Sequence, residues 1–98
     1  MTINKDLNGT ELTLALEGRL DTSTAPDLEA AINSNLEGVT KLVLDFYRVE
    51  YISSAGLRVL LSARKTMASK GEMLIRNVSD EVMEIFDITG FVDILTIE

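Results

Sequence analysis

Leu12, Leu14 and Leu16 alternate with Thr13, Ala15 and Glu17, the period of two that a strand with one buried face requires. The preceding "TINKDL" is separated from "ELTLALE" by "NGT". Asn8-Gly9 predicts a hairpin turn there, because both residues tolerate positive φ. In "GRLDTSTAPDLEAAINSNL", Ala25, Leu28, Ile32 and Leu36 recur at helical intervals with Ala31 beside them. Thr24 and Asp27 have capping-box spacing, and Pro26 falls in the first turn, where a missing N–H is tolerated. The pattern predicts a first helix ending near Gly38.

"KLVLDF" breaks the alternation: Leu42, Val43 and Leu44 run together, as in a strand covered on both faces between parallel neighbours and flanking helices. "YRVEYI" reads as a loop leaving that strand, with Ser54 as the N-cap of the next helix. From Ala55 to Ser69, Arg58, Ser62, Lys65, Thr66 and Ser69 form a polar stripe, with Leu57, Leu60, Leu61, Met67 and Ala68 mainly opposite. This is an amphipathic helix of about four turns. Arg64 falls among the apolar positions, its stem expected to pack while its head reaches water.

"EMLIRN" gives a short strand, after which Ser79 caps "DEVMEIFDI", with Val82, Ile85 and Phe86 on one face and Gly90 as the stop. "VDILTI" is either a last strand or a docked extension. The order β-β-α-β-α-β-α-(β) predicts one small α/β domain over residues 1–98, a mixed sheet of four to five strands with helices packed on it. A chain of 98 residues closes one core and does not divide into two.

Charge and composition narrow the chemistry. A net charge of -7, with the acids spread along the chain, argues against nucleic acid and anionic membranes, which need basic patches. The apolar runs are too short for a membrane span, and "MTINKDLNG" lacks the basic start and apolar stretch of a signal peptide. A cytoplasmic location is expected. With no cysteine and no histidine, thiolate nucleophiles, imidazole-activated serines and histidine or cysteine metal sites are closed. No stretch has calcium-loop spacing, and "DTSTAPD" carries acids only at its ends. No catalytic residue, cofactor or metal is expected.

That leaves "YISSAGL", where two serines, an alanine and a glycine sit at a strand-to-helix junction. Serine before a helix can be no more than a cap. An exposed hydroxyl there can also accept a phosphate, which the unpaired N–H groups and the positive end of the helix dipole would stabilise. A hydrolase elbow, G-x-S-x-G, needs glycine two residues before the nucleophile; Ile52 precedes Ser53-Ser54 instead.

"LVLDFYRVEYISSAGLRVLLSARK" resembles the signature region of the STAS domain family of anti-sigma factor antagonists, in which an apolar strand ending in aspartate leads to D-S-[ST]-G-[LI] and a helix. "LEGRLDTSTAPDLEAAI" is similar to the family's earlier G-x-L-D segment, and "IFDITGFVDILTI" to its closing segment. The resemblance implies a phosphorylatable antagonist. Its unphosphorylated form binds an anti-sigma factor that is also a serine kinase, phosphorylation breaks the complex, and a serine phosphatase restores it. It places the acceptor at Ser54, with Ser53 as second choice, and partner contacts around it at Ser53, Ser54, Ala55, Gly56, Leu57, Asp21 and Asp45; Arg58, on the polar face of the same helix, is expected to join them. Asp21 and Asp45 match aspartates near the family's phosphorylation site. Two positions depart from the pattern: Ser53 stands where the family has aspartate, and Ala55 where it has a second hydroxyl. The other function open to the sequence is a scaffold or nucleotide-binding module of another signalling or secretion pathway, although no glycine-rich phosphate loop is present.

Overall fold

A computed structural model describes all residues, Met1–Glu98. Four strands, β1 (Thr2–Asn8), β2 (Glu11–Leu20), β3 (Lys41–Ile52) and β4 (Glu72–Arg76), form one sheet in the order β1-β2-β3-β4. β1 runs antiparallel to β2, while β2/β3 and β3/β4 are parallel. Parallel neighbours need crossovers, and α1 (Ala25–Asn33) and α2 (Ser54–Met67) supply them, with α3 (Asp80–Thr89) following β4.

Asn8 stays in the ladder opposite Glu11, so the hairpin loop is Gly9–Thr10 and not Asn8-Gly9. Of the two loop residues, Gly9 alone has positive φ, at 64°, the tight-turn pattern in which glycine comes first. The register sets Leu12 beside Leu42 and Leu14 beside Leu44, with Leu42 beside Met73 and Leu44 beside Ile75. All belong to a core cluster of 25 buried residues that also contains Leu28 and Ile32 of α1, Leu60 and Met67 of α2, and Val82 and Phe86 of α3. All three helices therefore bury their apolar stripes on one face of the sheet. The expectation that helices cover both faces of the Leu42–Leu44 strand does not hold. Val43 is fully buried but lies outside this cluster, on the other face, between Thr13 and Leu74 in the cross-strand register.

β3 also corrects the loop reading of "YRVEYI", which is strand to Ile52. Register shifts between Ala15/Glu17 and Gly18/Arg19 place two bulges in it. Each adds a residue and turns the following side chains over, so Phe46, Val49 and Ile52, spaced by three, all reach the core. α1 ends at Asn33 and not near Gly38, and Leu36 and Val39 are buried from the turns beyond it. Thr24 is its N-cap but forms no capping box; its Oγ1 accepts from Asp21 N at 2.8 Å and donates to Arg19 O at 2.7 Å. Ser79 caps α3 as expected, accepting from Val82 N at 3.2 Å.

"VDILTI" is a docked extension. A 3-10 turn (Phe91–Asp93) leads to a single bridge between Ile97 and Ile75. Ile75 N donates to Thr96 O at 2.9 Å, Glu98 N donates to Ile75 O at 2.8 Å, and Arg76 pairs with Glu98 at 2.8 Å. Arg64 does more than reach water, since its Nε donates to Ile94 O at 3.3 Å.

Candidate functional site

β3 delivers the serine pair to the end of the sheet. Ile52, its last residue, lies beside Leu20 of β2, and Ser53 N donates to Leu20 O at 2.9 Å. That bond fixes where α2 begins. Ser53 is the N-cap, with extended backbone at φ -99° and ψ 177°, and Ser54 is the first helical residue. The cap is Ser53 and not Ser54 as the sequence predicts, a difference of one residue, because Ser53 O already accepts the first helical bond, from Leu57 N at 3.0 Å. The two hydroxyls are unlike in setting. Ser54 is exposed, whereas Ser53 Oγ is buried, has no hydrogen-bond partner and does not cap the helix.

The next three residues seat the helix. Ala55, Gly56 and Leu57 are buried, so they hold α2 down and leave the outward surface of this turn to Ser54 and Arg58, both exposed. Gly56 is needed for contact: a Cβ there would lie 2.7 Å from Leu20 Cγ and 2.8 Å from Ile52 Cγ1. Beside the junction a shallow groove of about 380 Å³ runs between α1 and α2, with Ala25, Pro26, Ala55 and Val59 among its lining and Thr22, Glu29 and Arg58 also bordering it.

Asp21 lies in the turn after Leu20, next to the junction, but its carboxylate serves its own loop. Oδ1 accepts from Ser23 Oγ at 2.8 Å, Ser23 N at 3.0 Å and Thr24 N at 3.2 Å. These bonds, the one from the Ser23 hydroxyl foremost, hold the carboxyl below its ordinary pKa against the opposing effect of desolvation. Arg19 stacks over the Tyr51 ring at 4.3 Å and pairs with Asp21 at 3.8 Å, tying the ends of β2 and β3 to the turn before α1.

Asp45 is not brought to Ser54. It sits in the middle of β3, on the order of 20 Å along the strand from the junction, where Oδ1 accepts from Tyr47 N at 2.9 Å and Asn77 Nδ2 at 3.1 Å. Its geometry is that of a tie between the first bulge and the β4–α3 loop. The largest groove, about 540 Å³, also lies away from the serines, between β2, β3 and the start of α3. Glu17, Glu50 and Glu81 line it against one cation, Arg48. No helix of the structure is long and apolar enough to cross a membrane.

A mixed sheet with helices on one face, and a serine-bearing turn at the end of its third strand, define a small α/β domain that presents the Ser54 hydroxyl at the start of α2. Residues 2–98 match the model of the STAS domain, and the chain belongs to that family. It is similar to BtrV of Bordetella bronchiseptica, 38% identical over 88 residues that cover 88% of this chain and 76% of that protein. The anti-sigma-B factor antagonist of Bacillus subtilis is 31% identical over 100 aligned residues, covering 99% of this chain and 92% of the relative. Among solved structures, the Bacillus cell fate determinant SpoIIAA in its phosphorylated form superposes with a TM-score of 0.76 at 19% identity, covering 99% of this chain and 91% of that one. At that identity the likeness establishes the fold. Four strands and three helices in the order β-β-α-β-α-β-α agree with the order expected from the sequence.

Proposed function

We propose that this chain is a non-enzymatic anti-sigma factor antagonist of the cytoplasm whose binding is switched off by phosphorylation of Ser54. Unmodified, it binds a cognate anti-sigma factor that is also a serine kinase, and the sigma factor is released. The kinase phosphorylates Ser54, the complex parts, and a serine phosphatase reverses the change. The observation that carries this reading is the contrast between the two serines. A kinase must reach a hydroxyl in solvent; Ser54 is exposed and Ser53 Oγ is buried.

The position also suits a switch. A phosphoryl group adds about -1.5 to -2 charge at the N-terminal end of α2, where the helix dipole and the first-turn N–H groups favour an anion. In a docked interface the same group must keep its water or lose it at a cost of several kcal/mol. Each 1.4 kcal/mol is about tenfold in affinity, so a few kcal/mol is enough to part the partners. The alternative of a nucleotide-binding module gains no support from the largest groove, where three carboxylates and one arginine would repel phosphates more than hold them.

The test is incubation with ATP and the cognate kinase, followed by mass spectrometry. The wild type is expected to gain one phosphate on Ser54. Ser54→Ala is expected to gain none and still bind, and Ser54→Asp to bind several hundredfold more weakly. Phosphate taken up by Ser54→Ala at the wild-type rate would refute the assignment.

A further inference from the structure

The chain has five arginines, Arg19, Arg48, Arg58, Arg64 and Arg76, and four have a partner within the fold. Arg19 stacks on Tyr51 and pairs with Asp21, Arg48 lies over Tyr47 at 5.9 Å, Arg64 donates to Ile94 O and Arg76 pairs with Glu98. Arg58 has none. It belongs to no ion pair, its guanidinium donates no hydrogen bond to the protein, and it is exposed. Glu29 borders the same groove from α1, yet does not come within ion-pair distance of it.

Arg58 is also the residue that follows Ser54 by one helical turn. Both lie in α2, and residues at i and i+4 are neighbours on a helix surface, with Cβ atoms about 5–6 Å apart. Between them, Ala55, Gly56 and Leu57 face inward, so nothing on the helix itself separates the hydroxyl from the guanidinium. An arginine carries a planar fork of donors matched to phosphate oxygens. Side-chain disorder in a free arginine is the ordinary state of a surface cation; what distinguishes Arg58 is its fixed adjacency to the one exposed hydroxyl of the motif.

We propose that Arg58 is a positioning residue that holds the phosphoryl group of modified Ser54 in cis, an inference that rests on Ser54 being the phosphate acceptor. The modification then does two things at one place on the surface. It adds a dianion, and it draws Arg58 onto that dianion, removing from the outward face of α2 a cation that is free in the unmodified protein. The phosphoryl group lies along the helix face beside the groove between α1 and α2, held by the fork on one side and the helix end on the other.

The test does not depend on any kinase. Phosphoserine is installed at position 54 during translation, in the wild type, in Arg58→Gln and in Arg58→Lys, and its second ionisation is followed by phosphorus NMR. In the Arg58→Gln protein the midpoint is expected near the ordinary value of about 6. With Arg58 present it is expected roughly 0.2 to 0.4 unit lower, the size of an exposed helical ion pair, and the gap is expected to shrink in 1 M salt. Arg58→Lys is expected to restore part or all of the shift, because it keeps the charge and loses the fork. Coincident midpoints in the wild type and Arg58→Gln overturn the proposal. So does a shift that Arg58→Lys fails to restore at all, since that assigns the difference to lost packing and not to charge. A kinase that leaves Ser54 unmodified in the wild type defeats the assignment of the acceptor, and that result is separate from the behaviour of the installed phosphoserine.

Discussion

Replacing Gly56 by alanine sets two well-measured effects against each other at the base of the serine-bearing helix. In the helix α2 an alanine is favoured over glycine by about 0.5–1 kcal/mol, because it has less backbone freedom to lose. Here the new methyl would lie 2.7 Å from Leu20 Cγ, 3.1 Å from Leu20 Cδ2 and 2.8 Å from Ile52 Cγ1. Those atoms cannot swing aside. Leu20 is 0% and Ile52 2% exposed, both within the main core, and the two closest contacts, with Leu20 Cγ and Ile52 Cγ1, are not with side-chain tips. Relief requires α2 to lift, which strains the 2.9 Å bond from Ser53 N to Leu20 O. Overpacking of a dense core costs about 1–3 kcal/mol; with contacts this short against fixed core atoms about 2–3 kcal/mol applies, so the net loss is expected to be about 1–2 kcal/mol. For a domain of this size each kcal/mol is worth about 4–8 °C. Thermal unfolding followed by circular dichroism should therefore show Gly56→Ala melting about 5–15 °C below the wild type, still folded at room temperature. A midpoint equal to or above the wild type would mean that helix propensity outweighs the contact, and the account of how α2 is seated would fail.

Two further substitutions probe the ties around the sheet. Asn77 has φ 57° and donates from Nδ2 to Asp45, so Asn77→Ala is expected to cost about 1–2 kcal/mol from the lost bond and the strained backbone; Asn77→Gly relieves the strain and should cost less, as urea denaturation can show. Asp21 has its pKa lowered in the fold, chiefly by the Ser23 hydroxyl, so its contribution is present above the unfolded value near 4 and is lost as pH falls through the lower folded value. The gap in melting temperature between wild type and Asp21→Asn is expected to be widest above pH 5 and to close below about pH 4; a gap that does not change with pH would contradict the role given to those hydrogen bonds.

The elements most legible in the sequence are those whose period is unbroken. Leu12, Leu14 and Leu16 announce β2, and the polar stripe of Arg58, Ser62, Lys65, Thr66 and Ser69 is indeed the exposed side of α2 and the turn after it. Legibility fails where a local device resets the period. Phe46, Val49 and Ile52 are spaced like loop or helix residues, and two bulges are what bring them to one face of a strand. Leu36 and Val39 continue the apolar rhythm after α1 has stopped, because turns can also point side chains into a core. Val43 misled for another reason. It is fully buried between Thr13 and Leu74 although it lies outside the cluster that the helices enter, so a continuous apolar run does not by itself report a helix on each side. At the site, the serine pair was evident, but which serine caps the helix depended on a single backbone bond to Leu20 that no local pattern encodes. The buried, unpaired Ser53 Oγ and the solitary Arg58 are likewise visible only once neighbours are known.

The first turn of α2 explains how binding and folding can respond differently to one modification. The residues that attach this turn to the domain, Ala55, Gly56 and Leu57, are those that face inward, and the backbone bond that positions it comes from Ser53. Ser54 contributes to none of these contacts through its side chain. A dianion placed there meets solvent on one side and the favourable end of a helix on the other, an effect worth about 0.3–1 kcal/mol in favour of the folded state. The same group inside a docked interface faces a desolvation cost several times larger. Under the proposed switch, the sign of the effect on stability is therefore opposite to the sign of the effect on binding. That opposition follows from having the hydroxyl at the first helical position, on the outside of a turn whose inner side is fully occupied.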